Sequence, residues 1–161
     1  MTPAILAADR AGIRYAVHEY SHDPAAPSYG LEAAIALGVD PARVLKTLIV
    51  EVDGRLVMAL VPVEGSLNLR ALAAVVGGKR AVMADLRVAE RATGYVVGGI
   101  SPLGQKRAMQ AVIDESALTW DRVFVSGGRR GVELELEVGD LVRLLEATLA
   151  VVARNADPRS V

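Results

Sequence analysis

The sequence predicts a single α/β domain built on a mixed, largely antiparallel sheet with surrounding helices. Three observations predict it. The chain has 161 residues, 52% of them apolar, which is the size of one domain with material for one core. Asp53-Gly54 separates two alternating apolar runs, a strong hairpin signature. Helix signatures lie between the strands without the βαβ regularity of a doubly wound fold.

The elements follow in order. Thr2-Pro3 caps and starts a helix that Gly12 stops, with Pro at the first helical position. Arg14 to Tyr20 alternates as a strand, and Ser21 to Tyr29 is a loop holding Pro24 and Pro27. Leu31 to Leu37 is a short helix closed by Gly38, and Asp40-Pro41 caps a single turn. Val44 to Val52 and Arg55 to Val63 are the two hairpin strands. Asn68 to Val76 is a helix ended by Gly77-Gly78, Lys79 to Met83 is a strand, and Asp85 caps a helix to Ala92. Tyr95 to Val97 reads as extended and runs into the glycine loop Gly98 to Gly104. Met109 to Ile113, Val123 to Val125 and Val132 to Val138 read as strands, and Asp140 caps a last helix. Residues 154–161 read as a frayed tail of the single domain 1–161.

Composition narrows the chemistry. The chain has no cysteine, which excludes disulfides, thiolate metal sites and a cysteine nucleophile. No apolar run reaches the ~18 residues of a membrane span, and no basic segment precedes an apolar stretch at the N-terminus. A cytosolic, membrane-free protein is the expectation. A net charge of −1 lacks the basic excess of a protein that coats nucleic acid. Any RNA contact would rest on local clusters.

Lys46 shares a strand face with Val44, Leu48 and Val50. It can project into a pocket beside a carbonyl or phosphate, or guard a sheet edge against unwanted pairing. His18, Tyr20 and His22 fall two apart, so one strand face would hold all three if the strand ran that far. No third ligand is placed to complete a metal site, and Tyr20 is read as lining a cleft. Gly98 to Gly104 lets backbone N–H groups approach an anion, but Gln105-Lys106 follows where a P-loop needs Lys then Ser/Thr. Ser126 to Gly131 joins two strands and carries Arg129 and Arg130, which can hold RNA phosphates or stand solvated. Thr47, Ser101 and Ser126 are possible nucleophiles, but none sits in a Gly-x-Ser-x-Gly elbow.

Taken together, ordered stretches of this chain resemble the YbaK/EbsC family, relatives of the editing domain inserted in bacterial prolyl-tRNA synthetases. They are Thr2-Pro3-Ala4, His18-Glu19-Tyr20, His22-Asp23-Pro24, Tyr29-Gly30, Glu32-Ala33-Ala34, Leu45-Lys46-Thr47-Leu48, Thr93-Gly94-Tyr95, Gly98 to Lys106 and Ser126 to Gly131. The resemblance implies a barrel-like mixed sheet and cytosolic trans-editing of misacylated tRNA. It implies release of cysteine from Cys-tRNA(Pro), and from Cys-tRNA(Cys) by loose tRNA selection, with prolyl-tRNA synthetase as a partner.

In that family the strand lysine is the key residue, and it matches Lys46. Pocket residues map to Tyr20, Tyr29, Thr47, Gly98, Ser101, Ser126 and Glu133; Gly99 belongs to the same loop, and Lys106, Arg129 and Arg130 are the expected phosphate contacts. The chain departs from the pattern at Tyr29, Arg107 and Glu133, where Phe, Lys and Asp are expected. The resemblance also suggests a reaction in which the cysteine thiol attacks its own ester. It needs no metal or cofactor, and its product would make the enzyme a lyase and not a hydrolase. Deacylation of another misacylated tRNA such as Ala-tRNA(Pro), or a non-catalytic tRNA- or synthetase-binding module, are the alternatives.

Overall fold

The computed structural model describes residues 1–155. Its elements in chain order are α1 (Pro3–Ala11), β1 (Tyr15–Glu19), α2 (Tyr29–Leu37), β2 (Leu45–Val52), β3 (Arg55–Pro62), β4 (Ser66–Leu67), α3 (Leu69–Val75), β5 (Ala81–Met83), α4 (Leu86–Thr93), β6 (Gln110–Asp114), β7 (Arg122–Ser126), β8 (Val132–Glu137), α5 (Val138–Leu145), β9 (Thr148–Ala150) and β10 (Ala153–Arg154). Short 3-10 turns occupy Pro41–Arg43 and Glu115–Thr119.

The β2–β3 hairpin organises the larger sheet. Leu45 stands opposite Pro62 and Val52 opposite Arg55. Asp53 and Gly54 adopt φ of 48° and 82°, the left-handed pair that a two-residue type I′ turn requires. The Asp53 carboxylate accepts the N–H groups of Lys79 and Arg80 at 2.9 and 3.0 Å, which ties the approach to β5 back to the hairpin. β5 then pairs antiparallel with β2, while β6 runs parallel to β3 and β9 parallel to β6. The result is a five-stranded sheet in the order β5-β2-β3-β6-β9.

A second, antiparallel sheet has the order β1-β8-β7. The two sheets share one apolar core and are linked through their backbones by an isolated parallel bridge, Val44 to Phe124. The mixed, largely antiparallel character expected from the sequence is present, but the described strands do not close into a barrel. Beside the first half of β2, residues of both sheets and of α2 and α4 leave a gap. The gap positions the candidate site.

Two apolar layers fill the fold. Leu45, Ile49, Leu60, Ile113, Leu134, Leu136 and Leu141 form one with Ala4 and Ala8 of α1. Val50, Val52, Val57, Val61 and Val112 form the other with Leu72 of α3. The predicted caps hold: Thr2, Asn68 and Asp85 side chains accept N–H groups of α1, α3 and α4, and Gly12, Gly38 and Gly94 end α1, α2 and α4.

Four expectations change. The second helix begins at Tyr29, two residues early, because Ser28 caps the Leu31 N–H at 3.3 Å. Tyr95 to Val97 is not a strand; the Gly99 N–H closes a turn on the Val96 carbonyl at 2.9 Å. Asp140 lies inside the first turn of α5, whose N-cap is Glu137 without a side-chain cap bond. Ala153–Arg154 pairs with Leu67–Ser66, so order extends past Ala153; residues 156–161 of the expected frayed tail lie outside the described residues.

Candidate active site

A cavity of about 320 Å³ lies in the gap between the sheets. Its walls come from the N-terminus of α2 (Ser28, Tyr29), the first half of β2 (Lys46, Thr47), the β5–α4 corner (Met83, Leu86, Ala89), the Val97-Gly98 turn, and Ser126 and Glu133 of the smaller sheet. Most of this lining is apolar. The polar groups are few, and each has a distinct environment.

Lys46 stands half-buried on β2, and its Nζ donates to the Gly65 carbonyl at 2.8 Å. Burial lowers its pKa. An ammonium has three N–H donors, so two are left for a ligand. Lys46 lines the cavity; it pairs with Val61 of β3, while β5 pairs only with Val50 to Val52 at the far end of β2, so the strand side beside the lysine is open to the cavity.

Glu133 is only 8% exposed. Its Oε2 is buried with no hydrogen-bond partner, and burial pushes its pKa up to about 8. The Thr47 hydroxyl is likewise buried and unpartnered. Ser126 lies directly opposite Glu133 in the β7–β8 ladder, where its Oγ accepts the Gly128 N–H at 3.2 Å.

Arg130 braces the rim. Its Nε and Nη2 donate to the Val97 carbonyl at 2.9 and 2.6 Å, and its guanidinium carbon lies 4.8 Å from the centre of the Tyr29 ring. Such a cation over an aromatic face is attractive. The brace requires Gly98. That residue has φ of +89°, and a Cβ there would lie 2.7 Å from Arg130 Nε and 3.0 Å from the Tyr29 ring. At Gly99 a Cβ would meet the Arg129 Cα at 2.7 Å, so the two glycine loops pack backbone to backbone.

The structure therefore gathers Tyr29, Lys46, Thr47, Gly98, Ser126 and Glu133 around one cavity. The other expected residues fall elsewhere. Ser101 is fully buried, and its Oγ accepts the Leu103 N–H at 3.2 Å; with Tyr95, which donates to the Leu103 carbonyl at 2.6 Å, it holds the glycine loop in shape. Gly99 sits behind the turn. Tyr20 follows the end of β1, and burial, then the charge of Glu133, pushes its pKa up to about 12. Arg129 is exposed and 3.7 Å from Glu19. Lys106 is exposed, with its stem packed over Gly94.

His18 and His22 do not share a face, because β1 ends at Glu19. His18 bonds Glu135 at 3.0 Å, and His22 bonds Glu32 at 3.1 Å. Among the described residues no group of three or more His, Cys, Asp or Glu is placed to hold a metal, and no helix is long and apolar enough to cross a membrane. Sequence reasoning missed the Gly65 carbonyl, whose role as an acceptor has no side-chain signature. It also missed the Met83–Ala89 wall, whose apolar residues look like ordinary core in the sequence.

Residues 23–144 match the family model of the aminoacyl-tRNA editing domain. EbsC of Enterococcus faecalis, described as a candidate Cys-tRNA(Pro)/Cys-tRNA(Cys) deacylase, is 34% identical over 119 residues, covering 73% of this chain and 72% of EbsC. The proline–tRNA ligase of Moorella thermoacetica is 38% identical over 73 residues, which are 45% of this chain and 13% of the ligase. A crystal structure described as a candidate trans-editing enzyme for prolyl-tRNA synthetase superposes with a TM-score of 0.82, covering 95% of this chain and 96% of that one at 23% identity. That last likeness is one of fold.

Proposed function

The chain belongs to the YbaK/EbsC family of aminoacyl-tRNA editing domains, and from that premise we propose that it is a trans-editing deacylase. Its substrate is cysteine mischarged onto proline tRNA, with Cys-tRNA(Cys) as a second substrate. The observation that carries this reading is Lys46, half-buried at a small apolar cavity with two N–H donors to spare.

An aminoacyl ester is already activated, so the protein need only position it and stabilise charge. In the proposed step the cysteine thiol loses its proton and its sulfur attacks the ester carbonyl carbon. The carbon–sulfur bond forms, and the bond to the ribose oxygen breaks. The proton ends on that oxygen, giving free tRNA and a cyclic thiolactone. Folding the aminoacyl group into attack geometry within the cavity makes the step a well-oriented intramolecular reaction. Lys46 faces the developing oxyanion or the terminal phosphate, a contact typically worth about 2.7–4 kcal/mol of barrier. The reaction takes place in the cytosol, where the exposed Lys106 and Arg129 contact tRNA phosphates and Arg130 shapes the rim. Prolyl-tRNA synthetase supplies the tRNA selection that a domain with net charge −1 does not.

Purified protein offered Cys-tRNA(Pro), Ala-tRNA(Pro) and Ser-tRNA tests the reading. Rapid loss of cysteine with slow loss of serine is expected, because a hydroxyl is a far poorer nucleophile than a thiol at neutral pH. Equal rates for cysteine and serine contradict the thiol route, and loss of alanine alone moves the substrate assignment. Binding without turnover of any substrate leaves a tRNA-binding module.

A further inference from the structure

The walls of the cavity hold two polar side-chain atoms that the fold itself does not use. Glu133 Oε2 and Thr47 Oγ1 are both buried, both without a hydrogen-bond partner, and both belong to residues that line the same cavity. Leaving one such group unmade typically costs about 1–3 kcal/mol, and more for a charge. A fold that accepted this for structure alone would place a leucine at Glu133, as it does at Leu134 and Leu136 on the other face of β8. The unused capacity points to a ligand.

The chemistry of the pair names the ligand group. A carboxyl oxygen and a hydroxyl oxygen are both acceptors, and a carboxylate strongly favours a cationic donor. The only cationic group common to all aminoacyl esters is the α-ammonium. We propose that Glu133, in the cavity that Thr47 also lines, is the seat of the substrate's α-ammonium, so that the site recognises a free amino terminus and rejects an acylated one. This deepens the deacylase reading and rests on it.

The charged neighbours of Glu133 leave the seat open. Its cross-strand partner His18 turns to Glu135. From the α2 side Glu32 is occupied by His22. Tyr20, at the end of β1, is held neutral by its pKa near 12. Lys46, on β2, spends one donor on Gly65. In the free protein Glu133 is mainly protonated at pH 6, since burial raises its pKa to about 8. An arriving ammonium draws it into the carboxylate form, and one proton leaves to solvent.

Two measurements test this. In the first, wild type and Glu133→Gln deacylate Cys-tRNA(Pro) and N-acetyl-Cys-tRNA(Pro); blocking the amine leaves the thiol route chemically intact. Wild type should prefer the free amine by about tenfold or more in kcat/KM, and Glu133→Gln should lose most of that preference. Equal rates in wild type overturn the proposal, as does a preference that survives in Glu133→Gln. Failure of wild type on both substrates instead defeats the deacylase reading. The second measurement then decides the seat, and it also serves if the variant does not fold. Calorimetry of a non-hydrolysable 3′-amide cysteinyl-adenosine at pH 6, in two buffers of different ionisation heat, should show close to one proton released on binding. The amine is already charged at that pH, so binding without proton release overturns the proposal.

Discussion

The Lys46 ammonium is held by the Gly65 carbonyl at 2.8 Å, and Gly65 is wedged against the far end of the chain: a Cβ on it would lie 2.6 Å from the Arg154 carbonyl oxygen. The position of the lysine thus depends on the β4–β10 pairing, over a hundred residues away in sequence. Long-range placement of this kind lets a residue on a rigid central strand keep its geometry while the surrounding loops vary.

Gly65→Ala should therefore impair the site without touching it. The backbone at residue 65 must shift away from Arg154, taking the carbonyl with it. We expect a stability loss of about 1–3 kcal/mol and a fall in kcat of about tenfold or more, with KM changed less. Single-turnover deacylation beside thermal melting checks this. Normal kcat in a destabilised protein would show that the Gly65 carbonyl does not position Lys46.

Asp114 anchors the same region. Its carboxylate accepts the Val152 and Ala153 N–H groups at 2.9 and 2.8 Å and the Ser116 hydroxyl. Burial raises its pKa, but these bonds outweigh burial and hold it below the usual 3.8. A depressed carboxylate contributes stability that is present above its unfolded value and lost as pH falls through its native one. Asp114→Ala should cost about 1.5–3 kcal/mol at neutral pH and progressively less as pH falls below 3.8 and through the lower native value. Urea unfolding of wild type and variant in a series from neutral to acid pH measures the narrowing gap.

Glu133 has the opposite sign. Its folded pKa is raised from 4.5 to about 8, so its contribution is complete below pH 4.5 and is lost as pH climbs to about 8. Glu133→Gln stays neutral throughout. The melting temperature of wild type should fall relative to that of Glu133→Gln across this interval, and parallel curves would contradict a buried, protonated carboxyl.

The two arginines of the glycine-rich turn should separate by salt dependence. Arg129 is exposed, with only a long, solvent-screened ion pair to Glu19 at 3.7 Å to give up for a phosphate, and its loss should lower the slope of log kcat/KM against log salt by about 0.7 per contact on single-stranded RNA. Arg130 is engaged on Val97 and Tyr29. Arg130→Ala should leave the slope nearly unchanged and instead weaken discrimination among aminoacyl groups.

Much of this architecture was legible because it is written in local chemistry. Asp53-Gly54 takes the left-handed turn its own two residues favour, Thr2, Asn68 and Asp85 cap N–H groups two or three residues on, and each element they mark is present. The misreadings share a different cause. β4, β9 and β10 are two or three residues long and exist only through partners distant in sequence. Tyr95 alternates with its neighbours like a strand residue, yet it is buried for its hydroxyl's bond to Leu103. At the site, Lys46, Tyr29, Gly98 and Ser126 stand in the ordered motifs and Glu133 follows from the family resemblance alone, and all five line the one cavity. Ser101, which the resemblance maps to the pocket, instead caps the Leu103 N–H inside the loop, and a buried loop cap and a pocket hydroxyl look alike in sequence.

The central claim is that the Lys46 cavity is where an aminoacyl ester is cleaved, and single-turnover deacylation of Cys-tRNA(Pro) by wild type and Lys46→Ala tests it most directly. The account predicts a fall of about 10²–10³-fold with the melting temperature little changed. Deacylation by Lys46→Ala at near the wild-type rate would contradict it.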